Sequence, residues 1–128
     1  MRDVVERFGD LIQTASHEEE ATREKHAPFI EAPDAVKAGE EFEVTVMVGK
    51  EIPHPNKWEH HIKWVQVFVE EEGRPYNPIH VATFDMGPTY GEPKVKFKMK
   101  LQKNSKLWVI SYCNLHGLWE ASKEIKVQ

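Results

Sequence analysis

"EEFEVTVMV", residues 40–48, places Phe42, Val44, Val46 and Val48 on one side of an extended chain and Glu41, Glu43, Thr45 and Met47 on the other. A period of two is the signature of a strand with one buried and one wet face. The same alternation returns in "KVKFKMKL", residues 94–101, where Val95, Phe97, Met99 and Leu101 interleave with four lysines. "HIKWVQVFV" (61–69), "IHVATF" (79–84), "LWVISY" (107–112) and "KEIKV" (123–127) are further strand candidates. Turn-forming pairs separate them: Pro33-Asp34, Ala38-Gly39, Glu72-Gly73, Gly87-Pro88 and Asn104-Ser105. About six or seven short strands joined in this way predict an all-β sandwich or barrel. The N-terminal stretch differs. Val4, Val5, Phe8, Leu11 and Ile12 recur at helical spacing and predict a short amphipathic helix over 2–15. Ser16 with Glu19 resembles a capping box that could open a second short helix, which Pro28 would end. The expected organisation is a helical extension over 1–23 and one β domain over 24–128.

The chain has 128 residues, 40% of them hydrophobic and 30% charged, an ordinary balance for one soluble domain. The formal net charge of -4 argues against a nucleic-acid partner, for which a basic face would be expected. The N-terminal MRDVVERFGD lacks the apolar core of a signal peptide, and no run approaches the roughly 18 apolar residues of a membrane span. A cytoplasmic protein without membrane attachment is therefore expected. Cys113 is the only cysteine, so no internal disulfide can form, and it reads as a ligand, a nucleophile or a core residue.

The histidines decide among these. There are seven: His17, His26, His54, His60, His61, His80 and His116. Taken singly each reads as a surface or hydrogen-bonded residue, His17 on a solvated helix and His80 within a strand. A lone cysteine among strand residues is, in the same way, usually a small buried hydrophobe. The joint pattern says more. Cys113 and His116 form C-x-x-H near the C-terminus, and His54 and His60 lie in H-P-N-x-x-E-H at mid-chain. His54 has a proline on each side, which fixes the backbone and removes two amide donors. Loops and strand ends on a rigid scaffold are where binding residues collect. A thiolate with several imidazoles is a mixed soft and borderline donor set for a metal ion.

The donor count narrows the metal. Structural zinc closes with four ligands, whereas one thiolate, four imidazoles and a carboxylate at Glu24 are candidates in this chain. Blue copper pairs a cysteine and a histidine with a weak axial methionine, but no methionine follows His116. Five or six ligands of mixed N, S and O type suit iron better.

Three segments, "EKHAPFIEAP" (24–33), "GKEIPHPNKWEHHIKW" (49–64) and "SYCNLHGLWE" (111–120), resemble the superoxide reductases of the single-iron, neelaredoxin type within the desulfoferrodoxin family. The resemblance runs from about residue 24 to the C-terminus. It implies an immunoglobulin-like, seven-stranded antiparallel β-barrel or sandwich and a mononuclear non-haem iron. His26, His54, His60 and His116 match its four equatorial imidazoles, and Cys113 matches the axial thiolate. Glu24 matches a carboxylate that binds the sixth position in the oxidised resting state. Lys25 matches a lysine that attracts the substrate and helps protonate it. His61 is outside the family's ligand pattern, in keeping with neighbours on a strand pointing to opposite faces. The family's two-iron members begin with a cysteine-rich domain, and this chain has no cysteine before Cys113 with which to hold a second iron.

The activity implied is the one-electron reduction of superoxide to hydrogen peroxide, with iron cycling between Fe2+ and Fe3+. An external donor, rubredoxin in the family, would supply the electron, and homotetramers are common among single-iron members. Small residues at Ser111 and Gly117 would let backbone amides approach the sulfur and tune it. Alternative readings are a cupredoxin-like electron carrier, a redox-silent zinc-holding β-sandwich, and a superoxide dismutase.

Overall fold

The computed structural model describes residues 5–17 and 26–128. Glu19, Glu24 and Lys25, singled out above, lie outside the described residues. Eight strands follow in chain order: β1 (Pro28–Glu31), β2 (Ala35–Val36), β3 (Phe42–Val48), β4 (Ile62–Glu71), β5 (Ile79–Asp85), β6 (Lys94–Met99), β7 (Ser105–Cys113) and β8 (Gly117–Val127). They form two sheets, β1-β3-β6 and β2-β8-β7-β4-β5. Neighbours are antiparallel except β2, which runs parallel to the end of β8.

The alternation of residues 40–48 has its expected consequence. Phe42, Val44, Val46 and Val48 of β3 are buried and face a second set of buried residues: Val65, Val67 and Val69 of β4, Leu107 and Val109 of β7, and Ile125 of β8. Full burial of each such side chain stabilises by about 1.5–3 kcal/mol, so this layer carries the fold. β6 lies at the edge of the smaller sheet. Its Val95, Phe97 and Met99 lean on the core, while Lys94, Lys96 and Lys98 are exposed. Lysines on an edge strand discourage pairing with another chain.

The sequence expectation requires three corrections. The two sheets share no strand, so the ladders do not close into a barrel and the sandwich alternative is the one realised. There are eight strands among the described residues rather than seven, because β1 and β2 are short pieces without a readable period. Residues 2–4 of the expected helix lie outside the described residues, and over 5–14 there is no α-helix but a single 3-10 turn, Phe8–Leu11, with no buried residue. The cause is downstream. Ile12 is extended, and Gln13 forms a parallel bridge with Trp119 of β8. The Gln13 N–H donates to the Leu118 carbonyl at 3.0 Å, and the Glu120 N–H donates to the Gln13 carbonyl at 2.7 Å. An isolated helix this short is marginal in water, and the bridge satisfies the backbone instead. Ser16 does not begin an α-helix either: Ala15–His17 is a 3-10 turn, with the Ser16 and Thr14 hydroxyls hydrogen-bonded at 2.8 Å. Among the described residues no helix is long and apolar enough to cross a membrane.

Candidate metal centre

β7 sets the position of the cysteine. Its inward face is Ser105, Leu107, Val109, Ser111 and Cys113, all buried, so a period of two ends with the thiol at the rim of the core and fully buried. Asn114, Leu115 and His116 then turn the chain, and β8 begins at Gly117, the register partner of Cys113. This short turn folds His116 back over the sulfur, with Nδ1 3.6 Å from Sγ. Burial pushes the Cys113 thiol up, and the backbone N–H groups of His116 and Leu115, both directed at the sulfur, pull it the other way. A metal that binds there as a thiolate complex has to displace the proton.

Three further histidines meet the thiol from separate parts of the chain. His54, held between Pro53 and Pro55 in the β3–β4 connection, is buried and brings Nε2 to 3.5 Å from Sγ. Its Nδ1 donates to the Pro55 carbonyl at 2.7 Å, which leaves the Nε2 lone pair directed at the centre. His60 closes a tight turn with Lys57 through two backbone hydrogen bonds, 2.8 and 3.0 Å. His26, just before β1, is buried and has Nε2 2.9 Å from His116 Nδ1. Its carbonyl accepts a hydrogen bond from Ser111 Oγ at 3.3 Å, and its ring stacks on Trp119 with centroids 4.9 Å apart. Trp119 in turn donates Nε1–H to the His116 carbonyl at 3.1 Å.

The four imidazoles form a closed square. Centroid separations around it are 5.2 Å from His26 to His54, 4.7 Å to His60, 5.0 Å to His116 and 4.5 Å back to His26. Adjacent rings are edge-on, at 66–78°, whereas His26 and His60 across the diagonal lie 6.5 Å apart and 30° from parallel. Donor atoms of His26, His54, His60 and Cys113 all lie within 4.8 Å of one another. Three imidazoles and a thiol with their donor atoms this close form a group that could hold a metal ion, and the His116 ring lies beside them.

All five residues expected as protein ligands from the sequence are thus brought together, while Glu24 and Lys25 lie outside the described residues. His61 is not in this group, and strand alternation is not the reason. β4 begins only at Ile62, so strand alternation does not apply, and it is the 57–60 turn that directs His61 away. Its Nδ1 meets the Lys57 carbonyl at 3.1 Å. His80 is exposed and hydrogen-bonded to Thr83 at 2.7 Å. The amides expected to reach the sulfur are supplied by Leu115 and His116, and Ser111 instead fastens the backbone of His26. Asn114 and Trp119 also contact the site, but neither carries a metal-binding atom of the expected type, so no signal in the sequence marks them.

A β-sandwich with four imidazoles and a thiol at its rim defines a narrow class, and comparison with known proteins agrees. The desulfoferrodoxin family matches residues 18–122, a span that holds all five clustered side chains. The neelaredoxin of Megalodesulfovibrio gigas is 39% identical over 131 residues, covering 93% of this chain and 97% of the relative. The superoxide reductase of Thermococcus kodakarensis is 45% identical over 100 residues, 76% of this chain and 84% of the relative. The solved structure of a superoxide reductase (neelaredoxin) from Ignicoccus hospitalis superposes with a TM-score of 0.89 at 50% identity, covering 96% of this chain and all of that one. The chain belongs to the desulfoferrodoxin family.

Proposed function

We propose that this protein is a superoxide reductase: superoxide, one electron and two protons become hydrogen peroxide at a mononuclear iron held by His26, His54, His60, His116 and Cys113. The square of imidazoles beside a buried thiol carries this reading. When bound, iron supplies the one-electron change between Fe2+ and Fe3+ and a free position for a small anion. Cys113 is the electron-rich donor, and the N–H groups of Leu115 and His116 hold the charge on its sulfur and so tune the centre. His54 is kept in one tautomer by the Pro55 carbonyl. Glu24 would be a further residue to hold the iron when it is oxidised, and Lys25 would draw in the anion and help protonate it. On this reading residues 24–128 form the iron-binding domain and residues 1–23 an extension to it. The protein works in the cytoplasm as a homotetramer, and rubredoxin or a similar external carrier delivers the electron.

Turnover tests the proposal. With superoxide supplied, consumption is expected to require a reductant, to yield peroxide and to release little oxygen. Substantial oxygen release without a donor would make the protein a dismutase, and copper in the purified protein would make it a cupredoxin-like carrier.

Lys25 provides a second test. The net charge of -4 repels an anionic substrate at long range, so a local cation has to reverse the field. Lys25 adjoins His26 in sequence, and Lys57 is exposed in the turn that ends at His60. Charge steering changes association rates by about ten-fold or more and weakens with salt. Lys25→Ala is expected to slow the second-order reaction with superoxide on that scale and to flatten its salt dependence, while Lys25→Arg retains much of the rate. Stopped-flow or pulse-radiolysis rates at several ionic strengths measure both. Equal rates and slopes for Lys25→Ala and wild type remove Lys25 from the mechanism.

A further inference from the structure

We propose that Asn114 is a positioning residue that fixes His60 against Cys113 and His116, an inference that rests on the metal-centre reading above. Asn114 follows the cysteine directly, and its side chain reaches across to the other ligand-bearing turn. Oδ1 accepts a hydrogen bond from the His61 N–H at 2.8 Å, and Nδ2 donates to the Glu59 carbonyl at 2.9 Å. The Asn114 N–H donates to the His61 carbonyl at 3.2 Å. These three bonds grip the backbone on both sides of His60.

The grip falls where the sheet stops supplying one. The β4–β7 ladder pairs Ile62 with Cys113 but slips in register between Ile62 and Trp64, so regular pairing ends at the edge of the site. Beyond that edge, residues 57–61 are closed on themselves by the two Lys57–His60 backbone bonds and by His61 Nδ1 at the Lys57 carbonyl. Such a unit keeps its own shape but needs an external tether to keep its distance from the sulfur. Asn114 is that tether. Only a primary amide suits the task, because one arm accepts and the other donates. Aspartate retains the acceptor for His61 but cannot donate to the Glu59 carbonyl, and alanine does neither.

Asn114 is exposed, so water can replace its side-chain hydrogen bonds at little cost in global stability. The site is less tolerant. Ligand constellations lose function when displaced by about 0.5 Å, and groups that orient ligands typically matter by about 10–100-fold in metal affinity. The two effects therefore separate in experiment. Iron-loaded Asn114→Ala, Asn114→Asp and His60→Ala proteins are compared with wild type for iron loss to excess chelator, position of the sulfur-to-iron absorption band, and melting of the metal-free protein. Asn114→Ala is expected to lose iron about ten-fold faster or more, with a shifted band and near-wild-type melting of the metal-free form. Asn114→Asp is expected to fall between the two, a graded rescue that a general packing role would not give. Iron loss within about two-fold of wild type and an unshifted band in Asn114→Ala overturn the proposal. Should that variant not fold, wild-type iron retention by Asn114→Asp overturns it instead. His60→Ala separates the premises: if it keeps iron like wild type, the reading of His60 as a ligand fails, whereas if it loses iron and Asn114→Ala does not, only the tether fails.

Discussion

Cys113→Ser is expected to abolish the sulfur-to-iron colour and to remove most of the activity, a larger effect than the roughly 10–100-fold typical of losing an outer group that orients a ligand. The sulfur is the only soft donor among five, and the serine hydroxyl is a hard, weakly acidic group that binds a soft or borderline metal poorly. The loss is not a matter of packing alone. Cys113 is fully buried at the inward end of β7, with the amides of Leu115 and His116 aimed at it. Serine places an oxygen where those amides have been set for a larger, anionic sulfur. Iron content, the optical spectrum in both redox states and steady-state consumption of superoxide measure the outcome, with far-ultraviolet circular dichroism as a control for the fold. A serine variant that kept the band would show that the thiolate is not a ligand.

The sequence made some of this structure legible and concealed the rest for identifiable reasons. β3, β4, β5, β6 and β7 are readable because along most of each strand more buried and less buried residues take turns, so burial is written as alternation. The first half of β8 is not, because Leu118, Trp119 and Glu120 are all at least half-buried and no face is clearly wet. The N-terminal segment misleads in the opposite direction. Phe8 and Leu11 have helical spacing, yet they are 69% and 47% exposed, so no apolar surface within the described chain rewards the helix. At the site, C-x-x-H and H-P-N-x-x-E-H indicate ligand chemistry but not geometry. That His26 meets His116 across 90 residues of sequence, and that the ring runs His26, His54, His60, His116, is a property of the two sheets. The tether is invisible for the same reason: Asn114 and Glu59 are 55 residues apart, and an asparagine in a turn ordinarily reads as local turn chemistry.

Gly49→Ala is expected to damage the centre without touching any ligand. Gly49 follows β3 directly and has φ of +87°, a left-handed conformation that costs an L-residue about 1–2 kcal/mol. A Cβ there would also collide with the backbone nitrogen of His54 and lie 3.0 Å from the Ile52 carbonyl oxygen and 3.1 Å from the Pro53 carbonyl carbon. These are backbone atoms, and rotamer changes cannot clear them. The prolines on both sides of His54 hold φ fixed, so the loop has little freedom to absorb the displacement before it reaches the imidazole. His54 Nε2 stands 3.5 Å from the sulfur, and a shift of the loop changes that distance. The expected result is a melting temperature lower by roughly 5 °C or more, together with about ten-fold weaker iron retention. Gly73→Ala separates the two causes. Gly73 also has positive φ, at +78°, but a Cβ there meets nothing within 4 Å, and its turn connects β4 to β5 away from the ligands. It should lose stability through backbone strain alone and keep its iron. Equal iron retention in the two variants would mean that the close approach of Gly49 to His54 does not set the ligand's position.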